Sequence, residues 1–293
     1  MQVFAPAKIN LSLKILGRRD DGFHEIETVV APISLCDEIG IEKQNNNGIM
    51  FRCDDSLVSQ PNENLAVRAA RVFFESTRIE PAVSIKLNKK IPHGAGLGGG
   101  SSDAAAVLLA LNALFNTKLP REGLAKMAEP IGSDVPLFVF QSAALCKGRG
   151  ELVTPVKLQP AIRASSILLL KPHFVVATPW AYSRWESSRE LPGVSYAPQQ
   201  FAGQTLFNAL ERPVFEKFVF LAQVKRWLLK QAEVAVALMS GSGSTIFAII
   251  QHEPDAVAVA SRAKKQLDPE LWTCVCAMLD GSTAARATSI ARP

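Results

Sequence analysis

The residues most able to do chemistry are concentrated in one glycine-rich stretch, GAGLGGGSSD at 94–103, which holds five glycines and two serines. VSIKL at 83–87 alternates apolar and polar residues and predicts a strand, and AAAVLLALNALF at 104–115 predicts a buried helix. Glycine lets backbone N–H groups approach phosphate oxygens, and a helix N-terminus carries about half a positive charge. The stretch therefore predicts a phosphate site, the alternative being a tight strand-to-helix turn with an unnecessary entropic cost.

The better-known phosphate loops do not fit this stretch. GAGLGG at 94–99 matches GxGxxG, but a Rossmann unit needs an acidic strand end about 20 residues later, where REGLAKMAEP at 121–130 predicts a helix. A Walker A loop needs a lysine before its serine or threonine, whereas this one ends GSS at 100–102. The sequence also lacks the HRD and DFG motifs of protein kinases.

The first thirty residues predict an antiparallel hairpin. INLSLKI at 9–15 alternates apolar and polar residues, which places Lys8 and Asn10 on the polar face of a strand. RDDG at 19–22 is typical of a turn, and FHEIETVV after it resumes a strand pattern. We therefore expect a lysine and an asparagine to point the same way.

The elements that must position these residues fall into two groups. A helix is predicted over 64–75, and from about residue 160 the order strand, helix, strand, strand, helix, strand is that of a ferredoxin-like domain. The later strands are predicted at 166–170, 234–238, 245–250 and 272–279, and the later helices open at Thr178 and span 214–231 and 254–266. Residues 191–204 predict a surface loop inside the second domain, and 281–293 a mobile tail.

The composition is that of a globular protein. The 293 residues are 48% apolar and 20% charged, and MQVFAPAKIN lacks the pattern of a signal peptide, so we expect a cytoplasmic protein with no membrane association. Five cysteines without a CxxC pair predict buried thiols in a reducing compartment and no metal site. The net charge of +5 comes from dispersed residues, which favours small anionic ligands over nucleic acid.

Five segments together resemble one family of enzymes. PHGAGLGGGSSDAA at 92–105 resembles the second motif of the GHMP small-molecule kinases, and APAKINLSL at 5–13 and MSGSGSTIFA at 239–248 agree with it. DGFHEI at 21–26 and GSDVPLF at 132–138 are similar to the members that act on a cytidine diphosphate-linked methylerythritol. The resemblance runs from about residue 4 to residue 280 with the motifs in family order.

The resemblance implies an α+β fold with two domains. An N-terminal ATP-binding domain of the ribosomal-protein-S5-domain-2-like type would span 1–160, and a C-terminal ferredoxin-like GHMP kinase domain would span 161–293. The implied activity is phosphoryl transfer from ATP, with Mg²⁺, to the 2-hydroxyl of that small-molecule substrate. No nucleic-acid or membrane partner is implied, and the oligomeric state is left open.

By the same resemblance, the glycine stretch wraps the triphosphate of ATP, with Ser101 or Ser102 near the Mg²⁺. The implied ATP-binding residues are Pro92, His93, Gly94, Ala95, Gly96, Leu97, Gly98, Gly99, Gly100, Ser101 and Ser102, together with Asn64 and Lys89 near the adenosine. Asp103 is expected in the first helical turn, where it could cap the helix or lie near the metal.

Asp134 and Lys8 match the catalytic positions of the family. Taken alone, Asp134 before Pro136 is typical of a helix N-cap, and Lys8 is typical of a solvated lysine on a polar strand face. The resemblance instead implies that Asp134 is the general base and that Lys8 is the cation that orients it.

The substrate positions implied by the family are spread along the chain. Phe23 and His24 would recognise cytosine, although Phe23 stands where the family motif has a tyrosine and so lacks its hydroxyl. Asn10 would contact the polyol or a phosphate. Thr178 and Tyr182 match the substrate side, although TPWAY also predicts a helix start with Thr178 as N-cap. Gly241 in SGSGS would help to close the site, the alternative being a flexible hairpin.

Two other functions remain open at this point. One is a GHMP kinase of the homoserine or mevalonate type, for which DGFHEI has no obvious use. The other is a nucleic-acid-binding protein, suggested by the basic pI near 9.0 and by the use of this fold in ribosomal proteins.

Overall fold

A computed structural model describes residues 1–56, 60 and 64–279. The predicted tail at 281–293 lies outside the described residues. The strands are β1 (Gln2–Arg18), β2 (His24–Lys43), β3 (Gly48–Cys53), β4 (Ala82–Asn88), β5 (Ala144–Gly148), β6 (Leu152–Pro155), β7 (Ser166–Lys171), β8 (Gln199–Phe201), β9 (Gln204–Asn208), β10 (Val234–Met239), β11 (Ile246–Ile250) and β12 (Trp272–Ala277). The helices are α1 (Leu65–Thr77), α2 (Gly99–Leu114), α3 (Arg121–Ala128), α4 (Val135–Phe140), α5 (Pro160–Arg163), α6 (Thr178–Ser183), α7 (Glu211–Lys217), α8 (Val219–Leu228) and α9 (Glu253–Gln266).

The first sheet is built around the long hairpin of β1 and β2. Its strand order is β3-β4-β2-β1-β9-β8, and β5 pairs with β2 and with β6. The register of β1 shifts between Pro6 and Lys8 and again between Asn10 and Ser12. Such irregularities re-aim side chains locally, and they flank the segment that carries Lys8 and Asn10.

Helices α1 to α4 cover one face of this sheet. Helix α2 is apolar on nearly all sides, as expected for a helix at the centre of a core, and it contacts α1, α4 and the first two strands. The core at this face includes the fully buried Phe73 of α1 and Leu111 of α2. Burial of α2 fixes the position of its N-terminus against the sheet.

The second sheet has the order β10-β11-β7-β12, and all of its neighbours are antiparallel. With α6 to α8 between β7 and β10, and α9 between β11 and β12, this confirms the ferredoxin-like arrangement. A third apolar cluster joins the two sheets, with Ile9 and Ile33 from the first packed with Leu169 and Phe247 of the second.

Two predicted helices differ from the structure. The helix expected at 214–231 is two helices, α7 and α8, which meet at Phe218 where φ is −106° and ψ is 67°. The ring of Phe218 stacks on Phe174 at 5.1 Å, so tertiary packing accounts for the break. Helix α2 begins at Gly99 rather than at 104, so that Gly99, Gly100 and both serines belong to the helix.

The surface loop predicted at 191–204 was partly wrong. Its last residues form the hairpin of β8 and β9, and β9 pairs in parallel with β1 through Ser12 and Leu13. The strands β3, β5 and β6 also escaped prediction. The division of the chain at residue 160 stays a prediction. Among the described residues, no helix combines the length and the apolar character needed to span a membrane.

An ion pair is buried within the second half of the chain. Lys225 Nζ lies 2.6 Å from Glu211 Oε2, and both side chains are 2% exposed. Glu211 Oε1 accepts a hydrogen bond from the backbone N–H of Met239, and Lys225 donates to Ser195 O. Burial raises the pKa of Glu211 in spite of the ammonium, so the carboxylate depends on Lys225 to stay charged.

We expect Lys225→Met to lower the free energy of unfolding by about 3–5 kcal/mol, because it leaves a buried carboxylate unpaired. Urea denaturation measures the change. The double variant Glu211→Gln with Lys225→Met should recover part of the loss. Arg262→Met, which breaks the more exposed pair with Glu233, is the control and should cost much less. Equal losses for the two single variants would contradict the assigned role of the buried pair.

Candidate active site

A cavity of about 910 Å³ opens between the glycine stretch, the β1–β2 hairpin and the start of α6. The candidate residues that line it are Lys8, Asn10, Phe23, His24, Asn64, Lys89, Pro92, His93, Gly94, Ala95, Gly96, Leu97, Gly98, Gly99, Gly100, Ser101, Asp134, Thr178, Tyr182 and Gly241. Ser102 does not line the cavity and is buried under the first turn of α2. Residues from both ends of the chain thus meet around one space.

The glycine stretch has a backbone that other residues would not tolerate. Gly96 has φ of +74°, and a Cβ there would lie 2.2 Å from Ser240 O. Gly98 has φ of +72°, and a Cβ there would lie 2.9 Å from the ring of Phe138. These positions need glycine both for conformation and for space. The stretch therefore packs backbone against backbone with the segment that contains Ser240.

The N-terminus of α2 faces the cavity and offers polar groups to a ligand. Gly98 is the N-cap, and no side chain caps the helix. Ser102 Oγ is buried without a hydrogen-bond partner among the described residues. That hydroxyl does not reach the cavity, so the groups offered to a ligand are the uncapped backbone N–H groups of the first turn, which fit a site for an anion.

Lys8 and Asn10 point the same way, as predicted, but Lys8 is only 5% exposed. The interpretation of Lys8 as a solvated lysine was therefore wrong. Lys8 Nζ donates to Asn10 Oδ1 at 2.7 Å and to Gly96 O at 2.9 Å. Burial lowers the pKa of Lys8, while the nearby Asp134 carboxylate acts in the opposite direction. The ammonium is thus fixed by Asn10 and the glycine stretch, near enough to Asp134 to feel its charge.

Asp134 occupies the N-cap position of α4, but its side chain makes no capping hydrogen bond. Its carboxylate instead lines the cavity, and a Cβ built on Gly150 would lie 3.6 Å from Asp134 Oδ1. Tyr182 lies on the opposite wall, where burial raises its pKa and the charge of Asp134 adds to the shift. The carboxylate is therefore available to a ligand rather than committed to the helix.

Lys89 is held by two carboxylates. Its Nζ lies 2.5 Å from Asp37 Oδ2 and 2.7 Å from Asp103 Oδ2, and all three side chains are buried. Asp37 Oδ1 also accepts the N–H groups of Lys90 and Ile91. Asp103 lies beyond the first turn of α2, contrary to expectation, and binds Lys89 rather than capping the helix. Both ends of the glycine stretch are thereby fastened to β2.

One lysine faces two carboxylates in this cluster, so its charges do not balance by themselves. Burial raises the pKa of Asp103 to about 8, with Lys89 opposing the shift and Asp37 adding to it. The two carboxylates outweigh burial for Lys89 and raise its pKa. Asn64, the other residue expected near the adenosine, accepts from Ala66 N at 2.9 Å and caps α1.

Aromatic side chains gather at the far end of the cavity. His24 lies 5.4 Å from the ring of Tyr182 and 6.4 Å from that of Trp185, measured between centroids. Phe23 is 49% exposed at the rim. Exposed and half-buried rings at a cavity rim suit a planar ligand that stacks.

The SGSGS segment closes the wall nearest to Lys8. A Cβ at Gly241 would lie 3.2 Å from Lys8 Nζ and 3.4 Å from Asn10 Oδ1. Thr178 Oγ1 and Ser242 Oγ are 2.7 Å apart. The N-cap of α6 is Ala177 rather than Thr178, which leaves the threonine hydroxyl free for this contact.

Sequence reasoning missed Asn208, at the end of β9. Its Nδ2 donates to Met239 O and to Gly241 O, both at 2.7 Å, and the residue is buried. It thereby fixes the SGSGS segment beside Lys8. In the sequence, the only indication of this role was an asparagine at the end of the TLFN strand pattern. Its function becomes visible only from its contacts with Met239 and Gly241, which are distant in sequence.

The described residues hold no group of three histidine, cysteine, aspartate or glutamate side chains arranged for a metal ion. All five cysteines are free, and Cys146 lines the cavity. Burial raises the pKa of Cys146 to about 12, with the charge of Asp134 adding to the effect. This thiol is therefore uncharged at neutral pH and is no candidate nucleophile.

Comparisons with known proteins agree with this architecture. The family model described as the GHMP kinases N terminal domain matches residues 64–142, and that described as GHMP kinases C terminal matches residues 199–268. A solved homoserine kinase from Cytophaga hutchinsonii has a TM-score of 0.68 at 20% identity, covering 96% of each chain, which shows a shared fold.

Two relatives are nearer in sequence. A 4-diphosphocytidyl-2-C-methyl-D-erythritol kinase from Methylacidiphilum infernorum is 42% identical over 272 residues, covering 92% of this chain and 93% of that protein. The crystal structure of a 4-(cytidine 5'-diphospho)-2C-methyl-D-erythritol kinase is 35% identical with a TM-score of 0.74, covering 94% of this chain and 99% of that one. Identity of this extent over nearly the whole length shows that the chain belongs to the 4-diphosphocytidyl-2-C-methyl-D-erythritol kinase family of the GHMP kinases.

Proposed function

We propose that the protein transfers the γ-phosphoryl group of ATP to the 2-hydroxyl of 4-diphosphocytidyl-2-C-methyl-D-erythritol, the compound named in its relatives. The observation that carries the proposal is the sequence of groups along one cavity. The glycine stretch contacts Lys8 through Gly96 O, and the charge of Asp134 acts on Lys8. The same carboxylate acts on Tyr182, whose ring lies beside His24, so Lys8 and Asp134 lie between the phosphate-binding backbone and the aromatic rings. A donor, a reacting hydroxyl and a nucleobase need those three environments in that order.

The ATP end uses the glycine stretch. Its positive-φ backbone and the N-terminus of α2 bind phosphate oxygens without side chains, which leaves room for the triphosphate. Ser101 lines this end of the cavity, so its hydroxyl would hold Mg²⁺ with the phosphates, whereas Ser102 is buried away from the cavity. When bound, that ion neutralises part of the charge on the transferred group. Asn64 and Lys89 border the same end, each already committed to a contact within the protein.

At the centre, Asp134 accepts the proton of the substrate's 2-hydroxyl. The hydroxyl oxygen forms a bond to the γ-phosphorus of ATP, and the bond from that phosphorus to ADP breaks. Lys8 holds its ammonium beside Asp134 and stabilises negative charge there, because Asn10 and Gly96 fix its position. No covalent intermediate with the protein is needed. Positioning and electrostatic stabilisation supply most of the rate enhancement.

The remaining candidates contact the cytidyl substrate. Phe23 stacks on the cytosine, His24 donates or accepts a hydrogen bond at its edge, and Tyr182 closes the other side. Asn10, Thr178 and Gly241 border the polyol between the base and Asp134. The reaction uses small molecules only, and we place the protein in the cytoplasm with no nucleic-acid or membrane partner.

Other alcohols are the alternative substrates. Solved homoserine and mevalonate kinases share the fold at 20% and 13% identity. Identity this low does not indicate that this chain uses their substrates. Homoserine and mevalonate have no planar ring that could stack on the aromatic side chains at the cavity rim. A nucleic-acid-binding role gains no support from this cavity, since a polynucleotide needs a basic groove that follows its backbone and the two lysines of the cavity are held inside the protein.

We expect Asp134→Asn to lower kcat by about 10² to 10⁴ with little change in ATP affinity, because it removes the proton acceptor and retains the shape of the side chain. Steady-state kinetics and ATP titration measure the two effects. Asp268→Asn, on the loop before β12, is the control. Turnover close to that of the wild type would remove Asp134 from the proposed mechanism.

We expect ³¹P NMR to show a new phosphomonoester when the protein is incubated with Mg·ATP and 4-diphosphocytidyl-2-C-methyl-D-erythritol. Parallel samples with homoserine and with mevalonate should show none. A product from either of those alcohols alone would overturn the substrate assignment while leaving a kinase.

We expect cytidine diphosphate to raise the melting temperature in the absence of ATP, and uridine diphosphate to do so less, because only cytosine carries the amino group that the rim would read. Differential scanning fluorimetry measures both shifts. Equal shifts would argue against cytosine recognition by Phe23 and His24.

A further inference from the structure

The diphosphate of the proposed substrate is negatively charged, and none of the residues discussed so far is assigned to bind it. It links the nucleoside to the polyol and carries negative charge on both phosphates, so it must lie between the aromatic end of the cavity and Asp134. Among the described residues, the lysines and arginines that line the cavity are Lys8, Arg18, Lys89 and Arg149. Lys89 is held by two carboxylates, and Lys8 is fixed by Asn10 and Gly96 O. Two arginines remain.

Arg149 occupies the turn between β5 and β6, which lies between the two ends of the proposed substrate. Its guanidinium carbon is 4.8 Å from the centroid of the Phe23 ring. The next residue, Gly150, borders Asp134, since a Cβ there would lie 3.6 Å from Asp134 Oδ1. The turn thus spans the interval from the nucleobase end to the catalytic carboxylate.

The position of this turn is fixed by two glutamates. Glu151 Oε2 accepts the backbone N–H of Arg149 at 2.6 Å, and Glu151 Oε1 lies 3.8 Å from Arg149 Nε. Glu25 Oε1, on β2, accepts the backbone N–H of Gly148. The guanidinium therefore lies over the Phe23 ring, with its Nε end near Glu151.

The two terminal nitrogens of Arg149 have no hydrogen-bond partner among the described residues, and its side chain is 31% exposed. A guanidinium fixed over a ring presents a planar pair of donors, which matches the oxygens of a phosphate. Arg18 also lines the cavity but is exposed at the end of β1, and no ring or carboxylate contact fixes it there.

We propose that Arg149 binds the diphosphate of the cytidyl substrate with its terminal nitrogens while its guanidinium rests on Phe23. This rests on the proposed function and assigns a further specificity residue to it. Phe23 then has two tasks, one in stacking on cytosine and one in orienting the arginine. Replacement of the family tyrosine by phenylalanine at this position removes a hydroxyl but keeps the ring face on which the arginine rests.

The test compares binding of cytidine and of cytidine diphosphate by isothermal titration calorimetry. Saturating Mg²⁺ and a non-hydrolysable ATP analogue fill the donor site, so that the diphosphate cannot bind to the glycine stretch. The proteins are the wild type, Arg149→Met, Arg149→Lys, Arg18→Met and Lys147→Met. Lys147 is the matched control, because it lies on β5 two residues before Arg149, pairs with Glu27 and does not line the cavity.

We expect Arg149→Met to weaken cytidine diphosphate binding by about tenfold to a hundredfold, the value of a charged hydrogen bond, and to leave cytidine binding unchanged. Arg149→Lys should fall between, since it keeps the charge but loses the paired donors. Lys147→Met should match the wild type. Thermal melting of each variant verifies that it is folded.

Three results would overturn the assignment. Equal weakening of both ligands by Arg149→Met would place Arg149 on the nucleobase instead. If only Arg18→Met weakened cytidine diphosphate binding, Arg18 would be the residue that binds the diphosphate. If Lys147→Met weakened it as much as Arg149→Met, long-range charge would account for the effect. Failure of the wild type to bind either cytidine ligand would instead count against the proposed function itself.

Discussion

The backbone contact between the glycine stretch and the SGSGS segment determines the geometry of the whole site. Gly96 O accepts hydrogen bonds from both Lys8 Nζ and Ser240 Oγ, so a single carbonyl joins β1, the glycine stretch and the end of β10. The approach is so close that any side chain at Gly96 would collide with Ser240 O. Because this contact crosses between the two halves of the chain, the ammonium of Lys8 keeps its position only while the halves stay packed.

The two buried lysines near this contact have different electrostatic surroundings, and the difference suits different tasks. Lys89 lies between the carboxylates of Asp37 and Asp103 and donates a hydrogen bond to each, so its charge serves the scaffold. Lys8 is bound mainly by neutral oxygens from Asn10 and Gly96, and burial lowers its pKa. An incompletely neutralised cation next to a carboxylate is the one able to respond to charge that develops on a ligand.

Local patterns predicted the parts of this fold that depend on neighbours in sequence. The glycine stretch, the shared orientation of Lys8 and Asn10, and the ferredoxin-like order all follow from spacing and alternation. Contacts between distant residues could not be predicted in this way. Asp37 reaches Lys89 across 52 positions, and Asn208 reaches Gly241 across 33. The break at Phe218 likewise depends on Phe174, which no local propensity encodes.

The parallel pairing of β9 with β1 has a consequence for how the chain acquires its structure. Apart from the β8–β9 hairpin, the first sheet is built from residues up to Pro155, yet the neighbour of β1 on one side is β9, at residues 204–208. During synthesis, this edge of β1 therefore stays unpaired until β9 leaves the ribosome, after the whole of β7 and α6. Closing that edge joins segments far apart in sequence, which is a slow step in folding because of its loop-closure entropy. Until β9 pairs with it, the edge of β1 can associate with an edge strand of another chain. This risk ends only when the second half of the chain has begun to fold.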